Sequence, residues 1–140
     1  MIQRIQSIWL FLAALLTAVT FKLSFFSGNR LNATTNTKEW IEFIASQNAI
    51  IMILTVAIAI ASLIAIFMYK DRKRQMLIVL VTAIVSIIQI ALYFNSKSVF
   101  TEANLDLGSL ISFAIPVLLF LAAKAIYSDE KMVKSADRLR

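Results

Sequence analysis

The chain has 140 residues, of which 60% are apolar and 16% charged, and 14 Lys and Arg against 8 Asp and Glu give a formal net charge of +6. A soluble domain averages roughly 45–50% apolar and ~25% charged residues, so this composition excludes an ordinary soluble globule and, more firmly, a disordered chain. Cysteine and histidine are both absent, which removes disulfides, thiolate chemistry, the commonest zinc and haem ligands and the usual proton shuttle near pH 7.

A hydrocarbon core of ~30 Å requires about 20 mostly apolar residues in helical form. The first such run covers residues 5–23 and carries no charge before Lys22. It is longer than the apolar core of a secretory signal, and the following LSFFSGNR lacks a small-residue cleavage site, so a retained helix is expected. Residues 24–48 form an external loop. Its first part, SGNRLNATTNTK, is polar and reads as irregular, with Asn32-Ala33-Thr34 matching a glycosylation acceptor. In KEWIEFIASQ, helical spacing gathers Trp40, Ile41 and Ile44 on one face and turns Lys38, Glu39 and Glu42 away. That pattern predicts a short interfacial helix anchored by Trp40.

Three more spans follow, over residues 49–69, 75–94 and 107–127, and only Lys124 interrupts them with a charge. They are rich in β-branched residues, but an isolated strand in lipid leaves its backbone unpaired, so helices are expected. The outer loop 95–106 carries Lys97, Glu102 and Asp106 without the fixed spacing of oxygen ligands that a cation site requires. Residues 128–140 form a basic tail that either continues the fourth helix or bends along the inner surface. There Met132, Val133, Ala136 and Leu139 share a helical face edged by Lys131, Lys134, Arg138 and Arg140, which suits anionic lipid or a protein partner.

Charge sets the orientation. Arg4, the turn Lys70-Asp71-Arg72-Lys73-Arg74 and the segment from Lys124 hold ten of the 14 Lys and Arg against four acids, a net +6. On the opposite side four cations meet four acids. Cytoplasmic loops carry the Lys and Arg excess. The expected fold is therefore an all-α integral membrane protein, a multi-pass four-transmembrane-helix antiparallel bundle with both termini cytoplasmic. KDRKR is a tight turn without the interleaved aromatics of a nucleic-acid surface, so no nucleic-acid partner is expected.

Each span carries one stripe of small and polar residues. In the third, Thr82, Ser86, Gln89 and Tyr93 lie within roughly 60° of arc, and Gln75 extends the row inward. Asn48, Thr55, Ala59 and Ser62 mark the second span; Gln6, Ala13, Thr17 and Thr20 the first; Ser109, Ser112, Pro116 and Ala123 the fourth. Such stripes let helices approach closely and bond across. The other reading is a polar pathway centred on Gln89, although no stripe carries an ionisable group in mid-span, where proton relays and pumps place one. Pro116 predicts a kink, with Ser112 helping to satisfy the local backbone.

The start MIQRIQ ahead of an apolar helix, and the ending DEKMVKSADRLR after the fourth, resemble the domain of unknown function 4293 family, small four-helix inner-membrane proteins of the Bacteroidota. The resemblance covers essentially the full length. It implies location and topology and, since the family has no assigned reaction or ligand, no functional residues. It draws attention to residues 1–6 and 129–140. The expected role is a non-catalytic accessory or scaffold subunit of a larger membrane assembly. The alternative is a small oligomeric transporter or channel for an uncharged or anionic solute. A lipid-directed enzyme would have hydroxyl nucleophiles with no histidine to activate them. No cofactor or metal is expected. The expected partners are membrane lipid and a membrane protein or second copy.

Overall fold

The computed structural model describes residues 3–31, 37–100 and 102–138. They form four helices, α1 (Gln3–Val19), α2 (Ala49–Phe67), α3 (Arg72–Ser96) and α4 (Leu107–Arg138), and three strands, β1 (Phe26–Leu31), β2 (Lys38–Phe43) and β3 (Glu102–Leu105). Helices α2, α3 and α4 are each long and apolar enough to cross a membrane, whereas Ile5–Val19 of α1 is a shorter apolar helix. Each helix packs against its neighbours in sequence, and α1 closes the ring against α4.

The bundle turns its small and polar residues inward and its large apolar ones outward. In α3 the buried set is Gln75, Val79, Thr82, Ala83, Ser86, Gln89 and Tyr93, a 3.6-residue repeat. Ala13, Ala65, Ala83, Ala122 and Ala123 are buried among Leu10, Ile58, Leu119 and Ile126, which brings the backbones close. Outside, Phe67, Leu110 and Ile53 are 78%, 72% and 63% exposed. A water-facing bundle would show the reverse arrangement.

Two helix ends differ from the sequence reading by three residues or more. Helix α1 stops at Val19 instead of continuing to residue 23, because the chain tightens into i→i+3 turns: Phe21 N donates to Ala18 O and Lys22 N to Val19 O. Helix α3 begins three residues early, at Arg72, so part of the basic turn is helical. The tail from residue 128 takes the first of its two expected courses and continues α4 without a break to Arg138. Pro116 sits inside α4, and the Ser112 hydroxyl donates to Gly108 O one turn back.

The short helix expected over KEWIEFIASQ is not formed. Residues 38–43 are strand β2, and Ala45–Gln47 adds a single 3-10 turn. Strand alternation leaves Ile41 and Phe43 half-buried while Lys38, Trp40 and Glu42 are exposed, so Trp40 and Ile41 point to opposite faces. The stretch before it, expected to be irregular, supplies the central strand of an antiparallel sheet ordered β2-β1-β3. Phe26 faces both Phe43 and Leu105 in that register, and Gly28 faces Ile41 and Ala103. Pairing with β1 fills backbone bonds that an exposed amphipathic helix would have satisfied alone, and it buries Phe26 completely. The Asn32-Ala33-Thr34 acceptor lies outside the described residues.

The sheet covers one end of the bundle through an aromatic cluster. The Phe25 ring stacks on Tyr93 with centroids 4.1 Å apart and planes 3° from parallel, and meets Phe26 edge-on at 4.8 Å. Phe43 approaches Tyr93 edge-on at 6.0 Å. Backbone bonds hold this cluster to the head of α4: Asp106 N donates to Phe25 O and Gly108 N to Ser24 O. The Ser24 hydroxyl donates to the Asp106 carboxylate, whose other oxygen accepts from Leu107 N at 2.9 Å. These bonds, Ser24 first, hold the Asp106 carboxyl below its usual range.

Both glycines lie where backbones touch. A Cβ on Gly28 would stand 1.8 Å from Glu102 O, and one on Gly108 would stand 2.3 Å from Ser24 O. Both are held in place, Glu102 O within β3 and Ser24 O by the bond it accepts from Gly108 N. Gly28→Ala and Gly108→Ala should each cost about 1–3 kcal/mol, the usual penalty of overpacking, measured by thermal unfolding in detergent micelles. Asp106 gives a pH signature. A carboxyl held low in the folded state stabilises above its unfolded value and loses that contribution as pH falls. Stability should therefore drop below about pH 4, the ordinary Asp range, and Asp106→Asn should flatten that part of the profile.

Candidate functional site

Two regions concentrate the polar chemistry of the molecule: the inward rows of the bundle, and the basic end opposite the sheet. In the interior, α2 and α3 present facing hydroxyls and amides. Gln89 Nε2 donates to Thr55 Oγ1 at 2.7 Å, and Thr55 Oγ1 donates in turn to Ile51 O at 2.7 Å. Thr82 donates to Ile78 O, Ser86 to Ala83 O, Ser62 to Ile58 O and Thr17 to Ala13 O, each at 2.7–2.8 Å. The structure thus places Thr82, Ser86, Gln89 and Tyr93 together on the inner side of α3, with Tyr93 drawn into the aromatic cluster. The Thr82 and Ser86 hydroxyls donate within their own helix, whereas Gln89 reaches across to α2.

Gln75 has a role that its place in the row does not announce. Its Nε2 donates to Ala65 O at 2.8 Å. Ala65 lies in the last turn of α2, where carbonyls have no partner further along the helix. The first turn of α3 therefore caps the end of α2. The only signal in the sequence is a glutamine one turn past a helix start. Gln6 and Gln75 are fully buried, and each retains an Oε1 that no described residue contacts by a hydrogen bond.

The basic end is built from the α2–α3 turn and the far part of α4. Asp71 N donates to Met68 O and Gln75 N to Asp71 O, which closes the turn. Arg72 Nη1 reaches Asp129 O at 3.4 Å and ties the turn to α4. Two acids are taken up locally: Asp71 by Arg74 at 3.0 Å and Glu130 by Lys134 at 2.7 Å. A cleft of about 520 Å³ opens between Tyr69–Lys73 on the turn and Glu130, Val133 and Lys134 on α4. A smaller hollow of about 320 Å³ runs along α4 beside Tyr127, Lys131 and Ser135. Of the tail cations singled out in the sequence, Lys134 lines both and Lys131 the second. Arg138 ends the helix, and Arg140 lies outside the described residues. Sequence reasoning treated the turn and the tail separately and did not bring Lys70, Arg72 and Lys73 beside Lys134.

The two interior glutamines differ in what their removal exposes. Gln89→Leu leaves Thr55 bonded to Ile51 O and should cost about 0.6 kcal/mol, typical of an interhelical bond in an apolar bundle. Gln75→Leu strips the Ala65 carbonyl and should cost about 1–3 kcal/mol. Unfolding in mixed detergent micelles with increasing denaturing detergent should rank the two in that order.

The family model described as Domain of unknown function (DUF4293) matches residues 2–139, and the chain belongs to that family. No curated protein and no solved structure matches it.

Proposed function

We propose that this member of the domain of unknown function 4293 family is a four-pass protein of the bacterial inner membrane, with both termini and the 70–74 turn in the cytoplasm. In this reading it is a non-catalytic accessory or scaffold subunit of a larger membrane assembly. Support for insertion comes from the outward apolar belt and the three helices of sufficient length. Helix α1, at 17 residues, reaches the lower bound for a span, about 17, before its i→i+3 turns extend it. Support for orientation comes from the +6 balance gathered at the turn and both chain ends.

The observation that carries the accessory role is the length of α4. Its 32 residues extend about 48 Å as a continuous helix, well beyond a ~30 Å hydrocarbon core. The projecting part exposes Met132 and Val133 among Lys131 and Lys134. A rigid helix that leaves the bundle with apolar and cationic residues on its surface is a handle for a second protein. The interior favours this role over an oligomeric transporter or channel for an uncharged or anionic solute, because the inward hydroxyls spend their protons within the bundle.

Since the chain has no cysteine, Lys73→Cys and Ser98→Cys report topology cleanly. A membrane-impermeant maleimide applied to intact cells should label the second and spare the first. Mild-detergent purification at native expression should recover a stoichiometric partner, and truncation after Glu130 should lose it while the bundle persists. Labelling of position 73 from outside would overturn the orientation, and recovery of the chain alone after crosslinking would overturn the accessory role.

A further inference from the structure

The cleft at the basic end has more positive charge than its own acids absorb. Of the groups lining it, Asp71 is engaged by Arg74 and Glu130 by Lys134. Lys70 and Lys73 make no ion pair with any described residue, and both are exposed. Arg72 has one N–H on Asp129 O, and a guanidinium carries five donors, so it retains several for another acceptor. The cleft also sits at the first turn of α3, a 25-residue helix, where the axis dipole is positive. The N-cap Asp71 makes no side-chain cap bond there. Three cations thus converge on one opening of about 520 Å³, within the range of roughly 300–1,000 Å³ typical of small-ligand sites.

The surroundings select the ligand. Tyr69 and Val133 form part of the lining. About one turn or less along the chain from the lining residues Tyr69, Lys73 and Glu130, the side chains of Phe67, Leu77 and Tyr127 are 78%, 62% and 61% exposed. A free phosphate ion would use only the cations. A phospholipid would use both, with its phosphate among Lys70, Arg72 and Lys73 and its acyl chains along the apolar exterior of α2 and α3. Aromatic rings at this level are the usual headgroup-depth anchors.

We propose that this cleft is a binding site for the phosphate headgroup of an anionic phospholipid, held by Lys70, Arg72 and Lys73 against α4. The site clamps the α2–α3 turn to the projecting helix in the presence of such a lipid. This inference rests on the membrane reading above, because the acyl chains need the apolar exterior to face lipid.

The test uses the full-length protein in a nonionic detergent, probed with phosphatidylglycerol and phosphatidylcholine and read by native mass spectrometry. The wild type should retain phosphatidylglycerol in preference to phosphatidylcholine. Lys70→Gln/Lys73→Gln should weaken that retention at least tenfold, since each cation near an anionic surface contributes strongly, with its thermal unfolding unchanged. Lys22→Gln/Lys97→Gln, at the sheet end, should retain the lipid as the wild type does. Equal retention of both lipids by the wild type, or an unchanged preference in the 70/73 variant, overturns the site. Displacement of the lipid by millimolar glycerol phosphate assigns the cleft to a soluble phosphate and overturns the lipid assignment. Release of the chain from membranes by an alkaline wash is a separate result that overturns the membrane reading itself.

Discussion

A backbone carbonyl or hydroxyl shut away from water must find its partner within the chain. Nearly every feature of the bundle follows from that constraint. With Ile, Leu, Val and Phe on the outside and alanines between the helices, little polar surface remains to receive a stray donor. Serines and threonines therefore bond back to the carbonyls three or four residues before them. Gln89 and Gln75, with longer side chains, reach across to α2. The two reaches differ in kind: Gln89 meets a hydroxyl that already has an acceptor, whereas Gln75 meets a carbonyl at a helix end that has no other donor among the described residues.

The sheet end obeys the same constraint by other means. Once α1 tightens and stops at Val19, the chain between it and α2 must satisfy its backbone outside any helix. It does so by placing β1 between β2 and β3, strands that come from loops far apart in the sequence. Phe25 then stacks on Tyr93 and Phe26 meets Phe25 and Phe94 edge-on, so the sheet acquires a core of its own joined to the top of α3. The contacts of Ser24 and Phe25 with Asp106 and Gly108 fix the sheet to α4. Close backbone approach at Gly28 and Gly108 makes both positions intolerant of a side chain.

The two ends of the molecule thus differ in character. One is an aromatic, hydrogen-bonded cover with balanced charge. The other is open, cationic and extended by α4, and both functional readings fall there: a partner on the projecting helix, and a phospholipid headgroup in the cleft beside it. The two are compatible. The cleft uses Lys70, Arg72 and Lys73 on the turn with Glu130, Val133 and Lys134 on α4, while Lys131 and Met132, which lie between these on the helix, are exposed and are not among its lining residues.

Sequence alone determined the helices and their inward faces. Thr82, Ser86, Gln89 and Tyr93, and likewise Thr17, Thr55 and Ser112, are polar residues at helical spacing in apolar runs, a pattern that depends only on neighbours three or four residues away. It also determined where charge accumulates, since that is a matter of composition along the chain. Tertiary structure decided everything that depends on distant partners. KEWIEF has an apolar content that suits either period; it became a strand because β1 stood ready to pair with it, and β1 itself contains Gly28 and Asn29, which argue against a strand until Ala103 and Glu102 are placed opposite them. The capping of α2 by Gln75 and the meeting of Lys70 and Lys73 with Lys134 arose in the same way. Local spacing cannot encode contacts between residues ten or more positions apart, because they exist only after the helices have closed into a ring.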